Sequence, residues 1–246
     1  MHKSSNEPAD WIPEPFQDAS KGIAKDALEK HMTSFRNTNI VVGLGSGPMA
    51  AAIIHEMANL PNKEMIECVS SSTQIKLEAE RAHLKIVDEI RIPDISIIFD
   101  GADQIDSKYN MIKGGGGALL KEKILHSAAE KIVITAESIK YVESFNRSVP
   151  IEVLPFSQHI VQKKLEKSHD GKPKLRMLEE GYPYVTENGN FIFDTTFPAS
   201  SLSDIQKKEI ELKSIPGVLE VGLFTRHADI YYKAKDDGSF DTINFD

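Results

Sequence analysis

Two carboxylates, a lysine and a run of four glycines lie close together in segment 97–122, which reads IIFDGADQIDSKYNMIKGGGGALLKE. Asp100 ends an apolar run, Asp103 follows three residues later, and Lys113 leads directly into Gly114–Gly117. A lysine beside carboxylates holds them ionised and can stabilise an oxyanion, while a positioned carboxylate can move a proton. The segment therefore predicts proton transfer on a small anionic substrate.

Two other uses of these side chains have to be weighed. Asp100 and Asp103 could hold a divalent metal, but such a site usually needs a third carboxylate or a histidine close by. Asp106 is available, but no histidine is near it in the sequence, so we predict no metal. Glu122 follows the glycines on a helix-like stretch, where it could be a base or a solvated residue in the charged triplet 121–123. The residues alone leave these two roles of Glu122 open.

A second glycine-rich segment, 43–50, reads GLGSGPMA, follows an apolar strand and opens a helix. Backbone N–H groups at such a helix start can bind a phosphate. From Gly45 the segment also fits the G-x-G-x-x-A dinucleotide fingerprint, which requires an acid at the end of the next strand. That strand ends instead in four hydroxyl residues, 70–73, although a helix cap needs only one. We therefore favour binding of a small phosphate or a polyol over a dinucleotide site or a plain tight turn.

The composition of the chain excludes several classes of partner. The 246 residues carry a formal charge of −8, which opposes non-specific binding to nucleic acid or to an anionic membrane. No apolar run approaches the roughly 20 residues of a membrane span, and the N-terminus lacks the apolar core of a signal peptide. Cys68 is the single cysteine, and its strand-like setting predicts a buried, inert thiol. We expect a cytoplasmic enzyme with no nucleic-acid or membrane partner.

Helical and strand patterns alternate through the first part of the chain and change after Pro150. The alternation predicts a mostly parallel, Rossmann-like sheet covered on both faces, with ligands beyond the carboxyl ends of its strands. The later order of strand, helix, strand, strand, helix, strand is typical of a ferredoxin-like α+β fold. We predict a flexible N-terminal arm at 1–18, a Rossmann-like domain at 19–145 plus 224–246, and an inserted ferredoxin-like domain at 146–223.

These segments together resemble type A ribose-5-phosphate isomerases, and the resemblance spans roughly residues 19–235. The family's segments occur here in order as GLGSG, VSSSTQ, DGADQID, KGGGGALLKEKI, VPIEVLP and IPGVLEVGLF. The resemblance implies interconversion of ribose 5-phosphate and ribulose 5-phosphate in the non-oxidative pentose phosphate pathway, without a metal or cofactor. It also implies a homodimer or homotetramer with the α+β domain at the subunit interface.

The resemblance also implies a role for each matching residue. Glu122 matches the base that moves the proton between C1 and C2, and Asp100 matches an aspartate implicated in ring opening and hydroxyl binding. Asp103 and Lys113 match the pair that polarises the carbonyl region and stabilises the enediolate. The glycine amides match the oxyanion-binding backbone, and Lys140 matches a phosphate-contacting lysine. The implied substrate-binding set is Ser46, Gly47, Pro48, Met49, Ser71, Ser72, Gly101, Ala102, Gly114, Gly115, Gly116 and Lys140.

The chain departs from the family at the phosphate loop. Where the family has G-x-G-T-G-S-T, Pro48 and Met49 replace the serine and the threonine, and Ile139 replaces the serine before Lys140. Proline also lacks the N–H group. Losing these donors predicts a phosphate affinity roughly ten- to several-hundred-fold weaker than the family's pattern would give.

This departure leaves two alternative functions beside ribose 5-phosphate isomerisation. One is an isomerase for a modified pentose phosphate. The other is a non-catalytic sugar-phosphate sensor, which we disfavour because the base and its oxyanion partner are both retained and no helix-turn-helix is attached. A dinucleotide-dependent oxidoreductase is less favoured still.

Overall fold

The computed structural model describes residues 12–32, 39–87, 92 and 94–245. Its contacts divide the chain into two compact units, each built from separate segments. Unit 1 comprises Met1–Gly101, Ile124–Ser138 and Ala228–Asp246, and unit 2 comprises Ala102–Lys123 and Ile139–His227. Most of the predicted N-terminal arm, residues 1–11, lies outside the described residues, and the first helix begins at Gln17.

The described helices are α1 (Gln17–Met32), α2 (Pro48–Met57), α3 (Thr73–Arg81), α4 (Leu119–Ala128), α5 (Gln158–Ser168) and α6 (Ile205–Lys213). The described strands are β1 (Ile40–Leu44), β2 (Ile66–Ser70), β3 (Lys85–Ile86), β4 (Ile95–Asp100), β5 (Gln104–Ile105), β6 (Met111–Ile112), β7 (Ala129–Glu137), β8 (Val149–Val153), β9 (Lys172–Leu175), β10 (Phe191–Thr196), β11 (Val218–Val221), β12 (Leu223–Phe224), β13 (Ile230–Ala234) and β14 (Phe240–Asn244).

Unit 1 is organised around a sheet in the order β14-β13-β7-β4-β1-β2-β3. Its strand pairs are parallel except for β13 and β14, which pair antiparallel at one edge. The central strands β1 and β4 are almost continuously apolar and buried, as expected for a parallel sheet covered on both faces. Helix α1 buries Ile23, Ala24, Ala27 and Leu28 in the core of this unit, along the apolar stripe that its sequence predicts.

Unit 2 contains an antiparallel sheet in the order β11-β8-β10-β9. When these four strands are counted from β8 in chain order, their order in the sheet is that of a ferredoxin-like fold. The predicted fold class, an α/β fold with an α+β part, is therefore confirmed. Val149, Ile151 and Val153 alternate along β8 and join one apolar cluster with Val161 of α5 and Leu212 of α6. The helices therefore cover one face of the sheet, and polar side chains of β8 and β10 lie on the other.

The sequence predicts one strand at 217–224, but the structure has two short strands there, β11 and β12, which belong to different sheets. Gly222 lies between them, and a Cβ on this glycine would lie 2.4 Å from the carbonyl oxygen of Lys113. The backbone N–H of Lys113 also donates to the carbonyl oxygen of Gly222 at 2.9 Å. The residue at this change of sheet has to be glycine, because the backbone of Lys113 occupies the place of a side chain.

Two further predictions concern the thiol of Cys68 and membrane-spanning helices. Cys68 is a free, buried cysteine, and burial raises the pKa of its thiol to about 12. The thiol is therefore protonated at neutral pH and unreactive, as predicted. Within the described ranges, no helix is both long and apolar enough to cross a lipid bilayer.

Candidate active site

The predicted site residues fall in both units, and each set is described within its own unit. Unit 1 carries Ser46, Gly47, Pro48, Met49, Ser71, Ser72, Asp100 and Gly101. Unit 2 carries Ala102, Asp103, Lys113, Gly114, Gly115, Gly116, Glu122 and Lys140.

Asp100 ends strand β4 and is fully buried. One carboxylate oxygen accepts the backbone N–H of Gly101 at 2.7 Å, and the other lies 2.8 Å from Nε2 of His126. A Cβ on Gly45 would lie 1.9 Å from the Oδ1 atom of Asp100. Gly45, which the fingerprint places in a phosphate loop, is therefore needed to make room for this aspartate.

His126 is a functional candidate that the sequence reasoning missed. It lies on α4, is 3% exposed, and forms a buried pair with Asp100. The sequence shows only a histidine four residues after Glu122 in the helix-like stretch behind the glycine run. Its partner comes from a strand 26 residues earlier, so local periodicity could not reveal the pair.

The 45–49 loop has one conformational feature that only glycine favours. Gly47 has φ of +91° and is the N-cap of α2, with no capping side chain, while Pro48 begins the helix. Met49 is 3% exposed and belongs to the core of unit 1, where its sulfur lies 3.1 Å from Ser20 Oγ. Only the backbone N–H of Met49 remains available for a ligand, since its side chain fills the core.

The two predicted serines at the end of β2 have different environments. Ser72 is the N-cap of α3, and its Oγ accepts the backbone N–H of Ile75 at 3.3 Å. Ser71 is 1% exposed, and its Oγ has no hydrogen-bond partner among the described residues. A buried hydroxyl without a partner is costly, so Ser71 is the better candidate for contact with a substrate hydroxyl.

In unit 2, Lys113 and Glu122 form a buried ion pair. Lys113 Nζ lies 3.2 Å from Glu122 Oε2, and each side chain is 3% exposed. The Lys113 ammonium also lies 5.6 Å from the centre of the Phe224 ring. The burial of Glu122 excludes the alternative of a solvated helix residue that the sequence left open.

The glycine run is shaped by Asp103, whose Oδ2 accepts the backbone N–H of Gly115 at 2.7 Å. A Cβ on Gly115 would lie 2.6 Å from Oδ1 of the same aspartate. Gly114 and Gly117 have φ of +102° and +86°, which disfavours any other residue at both positions. Gly116 is exposed, and a Cβ there would have no neighbour within 4 Å. Three of the four glycines therefore have a structural requirement, and Gly116 has none.

The remaining predicted residues of unit 2 are less constrained. Ala102 is buried at the start of the unit, and Lys140 ends a 3₁₀ turn at Ser138–Lys140 where it is half-buried. Asp106, the third carboxylate of the metal alternative, accepts the backbone N–H groups of Lys108 and Asn110 at 2.9 and 2.8 Å. Asp106 is therefore a turn cap.

Comparison with known proteins identifies the family. Residues 67–238 match the sequence profile of ribose 5-phosphate isomerase A (phosphoriboisomerase A). A ribose-5-phosphate isomerase from Dictyostelium discoideum is 39% identical over 221 residues, covering 87% of this chain and 94% of the relative. The ribose-5-phosphate isomerase A of Methanosarcina acetivorans is 36% identical over 203 residues, covering 81% of this chain and 86% of the relative.

Solved structures agree with the sequence comparison. A D-ribose-5-phosphate isomerase in complex with phospho-erythronic acid superposes with a TM-score of 0.84 at 32% identity, covering 94% of this chain and 99% of the other. The ribose 5-phosphate isomerase A of Methanocaldococcus jannaschii gives 0.82 at 29% identity, covering 93% and 99%. The chain therefore belongs to the ribose 5-phosphate isomerase A family, whose members are aldose–ketose isomerases that interconvert ribose 5-phosphate and ribulose 5-phosphate.

Proposed function

We propose that this chain interconverts ribose 5-phosphate and ribulose 5-phosphate through an enediolate, with Glu122 as the base. The buried pair of Lys113 and Glu122 is the observation that carries this proposal. Taking two opposite charges out of water costs several kcal/mol per ion, and replacing such a pair by apolar side chains is often neutral or stabilising. Stability alone is therefore a poor reason for the pair, whereas a base next to an oxyanion partner explains both residues.

The proposed reaction divides the chemistry among few groups. Glu122 removes the proton from C2 of the open-chain aldose, which leaves an enediolate with its negative charge on O1. The proton of the O2 hydroxyl then moves to O1, and Glu122 returns its proton to C1 as the C2 carbonyl forms. Lys113 stabilises the ionised form of Glu122 that a base requires. It also supports the negative charge that develops on the oxygens, together with amide N–H groups of the glycine run. We assign ring opening and hydroxyl binding to Asp100, supported by its pairing with His126.

We assign phosphate binding to Ser46, Gly47 and Lys140. The start of α2 supports this assignment, because Gly47 caps the helix without a side chain and the first N–H groups of a helix attract anions. Pro48 removes one of those donors. Ser71 is assigned to a sugar hydroxyl because its Oγ is buried without a partner among the described residues.

One second candidate function keeps the mechanism and changes the substrate. Pro48 and Met49 favour it, since the first has no N–H and the second directs its side chain into the core. Under this alternative, the enzyme isomerises a modified pentose phosphate. We further propose a homodimer or homotetramer, as the resemblance implies, which sedimentation velocity would measure. We also propose a cytoplasmic location, as the composition suggests.

The test is to incubate the protein with ribose 5-phosphate and EDTA and to measure ribulose 5-phosphate. Glu122→Gln should lower kcat by about 10²- to 10⁴-fold while leaving substrate affinity nearly unchanged, because glutamine has the same size but cannot accept the proton. Glu187→Gln is the matched control, since Glu187 also pairs with a lysine, Lys121, but is 38% exposed. Full turnover by Glu122→Gln would refute its role. Turnover of another pentose phosphate but not of ribose 5-phosphate would establish the second candidate.

A further inference from the structure

Arg176 contacts the glycine run from the loop that follows strand β9. Its Nη1 atom donates to the carbonyl oxygens of Gly114 and Gly115, both at 3.0 Å. The rest of the guanidinium binds Asp194 of β10 through two hydrogen bonds of 2.9 and 2.5 Å. The Arg176 side chain is 15% exposed. A planar guanidinium can make these bonds together because its donors form a rigid fork.

The first consequence concerns the peptide between Gly114 and Gly115. A trans peptide is planar, so its C=O and its N–H point in opposite directions. The C=O of this peptide accepts from Arg176, and the N–H donates to Asp103 Oδ2 at 2.7 Å. Arg176 and the carboxylate of Asp103 therefore bind opposite sides of the same planar peptide group.

The second consequence concerns the next peptide, between Gly115 and Gly116. Its C=O also accepts from Arg176, so the N–H of Gly116 points away from the guanidinium. Among the described residues no acceptor faces that N–H group, and Gly116 is exposed with open space beside it. The Gly116 amide is thus an oriented donor that remains available to a ligand.

Tyr184 restrains the far end of the run. Its hydroxyl lies 3.2 Å from the carbonyl oxygen of Gly116, and a Cβ on Gly117 would lie 2.2 Å from the same hydroxyl. The N–H of Gly117 donates to the Gly114 carbonyl at 3.0 Å. Consecutive glycines lose more conformational freedom on ordering than any other residues, so an ordered run of four needs restraints of this kind.

We propose that Arg176, held by Asp194, is a positioning residue that aims the Gly116 amide at the developing enediolate and fixes Asp103 through the Gly115 peptide. This inference rests on the proposed function and deepens it. Arg176 touches no reacting atom; it acts by ordering donors before the reaction, which is where most electrostatic catalysis originates. The competing explanation is an ion pair that only joins the adjacent strands β9 and β10.

The first test compares variants of the full-length protein at saturating and limiting ribose 5-phosphate. Arg176→Gln and Asp194→Asn should each lower kcat by roughly 10- to 100-fold, less than direct removal of an oxyanion donor, with KM changed less than about threefold. Arg176→Lys keeps the charge but cannot bind two carbonyls and Asp194 in one plane, so it should recover little activity. Lys174→Gln is the matched control, because Lys174 is an exposed cation on β9, two residues before Arg176.

The second test measures affinity by calorimetry with two probes. Phospho-erythronic acid carries a carboxylate where the enediolate charge develops, and erythritol 4-phosphate carries a neutral alcohol there. Arg176→Gln should weaken binding of the acid by about the same factor as kcat and leave binding of the alcohol unchanged. Equal losses for both probes, or kcat within twofold of wild type in both Arg176→Gln and Asp194→Asn, would overturn the proposal. If Arg176→Gln does not fold, kcat and the affinities for the two probes are measured in Asp194→Asn, and the same outcomes support or overturn the proposal.

The two proposals fail in distinguishable ways. Absence of wild-type turnover of ribose 5-phosphate contradicts the proposed function, whereas the selectivity between the two probes still tests Arg176. Normal wild-type turnover combined with wild-type kinetics in the Arg176 and Asp194 variants contradicts only the positioning role.

Discussion

The two glycine-rich segments of this chain look alike in sequence but are held in different ways. Each precedes a helix, and in each a glycine leaves room for a carboxylate: Gly45 for Asp100, and Gly115 for Asp103. Around Gly115, side chains from other loops of the chain bind the backbone and order its amides. Around Gly45, the N–H of that glycine donates to the backbone carbonyl of Phe99 at 2.8 Å, and the Met49 side chain packs in the core. A glycine motif therefore shows where the backbone is crowded, and its partners decide which amides are left for a ligand.

The largest effect should come from filling the space beside the carboxylates. Gly45→Ala places a Cβ against the buried side chain of Asp100, and neither the backbone of residue 45 nor this side chain has room to move. We therefore expect turnover to fall at least about 100-fold and the free energy of unfolding to drop by about 1–3 kcal/mol. Gly116→Ala is the matched control for the stability loss, because its Cβ meets nothing within 4 Å. Steady-state kinetics measures the turnover of Gly45→Ala, and urea denaturation measures the unfolding free energy of both variants. Equal losses of unfolding free energy in the two variants would contradict the distinction between crowded and open glycines.

The second-largest effect is expected at Met49, whose side chain packs in the core instead of facing a ligand. Met49→Thr restores the residue of the family's pattern, yet we expect it to cost about 2–4 kcal/mol of stability, since it leaves a cavity and buries a hydroxyl. Phosphate affinity should not improve, because the side chain points into the core. A Met49→Leu variant controls for volume and should remain near wild type. Tighter substrate binding by Met49→Thr would show that the side chain can face the ligand.

A smaller effect is expected at the neighbouring position. Pro48→Ser returns an N–H donor and a hydroxyl to the start of α2, and one additional hydrogen bond to a charged group should lower KM for ribose 5-phosphate by roughly tenfold. Binding of inorganic phosphate, measured as competitive inhibition, should tighten by a similar factor. An unchanged KM would indicate that another group already supplies this contact and would weaken the contrast between the loops.

The smallest effect is expected at His31, which lies outside both loops. Its titration makes stability depend on pH, so variants of the loops should be compared at one pH. Burial, assisted by Lys131, lowers the pKa of His31 below its ordinary value. The folded state therefore binds this proton less readily than the unfolded chain, so stability is retained above about pH 6.5 and decreases as the pH falls below it. His31→Asn should flatten the decrease in Tm between pH 7.5 and 5.5. A Tm profile identical to wild type would exclude His31 as a contributor.

Much of this architecture follows from local pattern. The apolar runs of β1 and β4, the stripe on α1 and the order of elements after Pro150 are set by burial and period, so the sequence predicts them. The predicted family and reaction are confirmed as well. The catalytic and binding roles of the predicted residues, together with the domain boundaries, remain predictions.

The rest depends on contacts between distant parts of the chain. His126 reaches Asp100, Arg176 reaches residues 62 and 61 positions away, and no local period encodes either contact. The burial of Met49 was missed because the phosphate-loop pattern directs attention to donors, whereas the core of unit 1 determines where that side chain points. Strands β5 and β6 have two residues each, which is too short for an alternation to be recognised.

The edge pairing of unit 1 has a consequence for the order of events during synthesis. Strand β13 lies beside β7 in the sheet, but the larger segment of unit 2, Ile139–His227, separates the two strands in the chain. While the ribosome is still making unit 2, β7 has an open edge and the apolar surface that β13 will cover remains in water. Such an edge can pair with another nascent chain. We therefore expect the nascent chain to be prone to aggregation in the interval before β13 emerges.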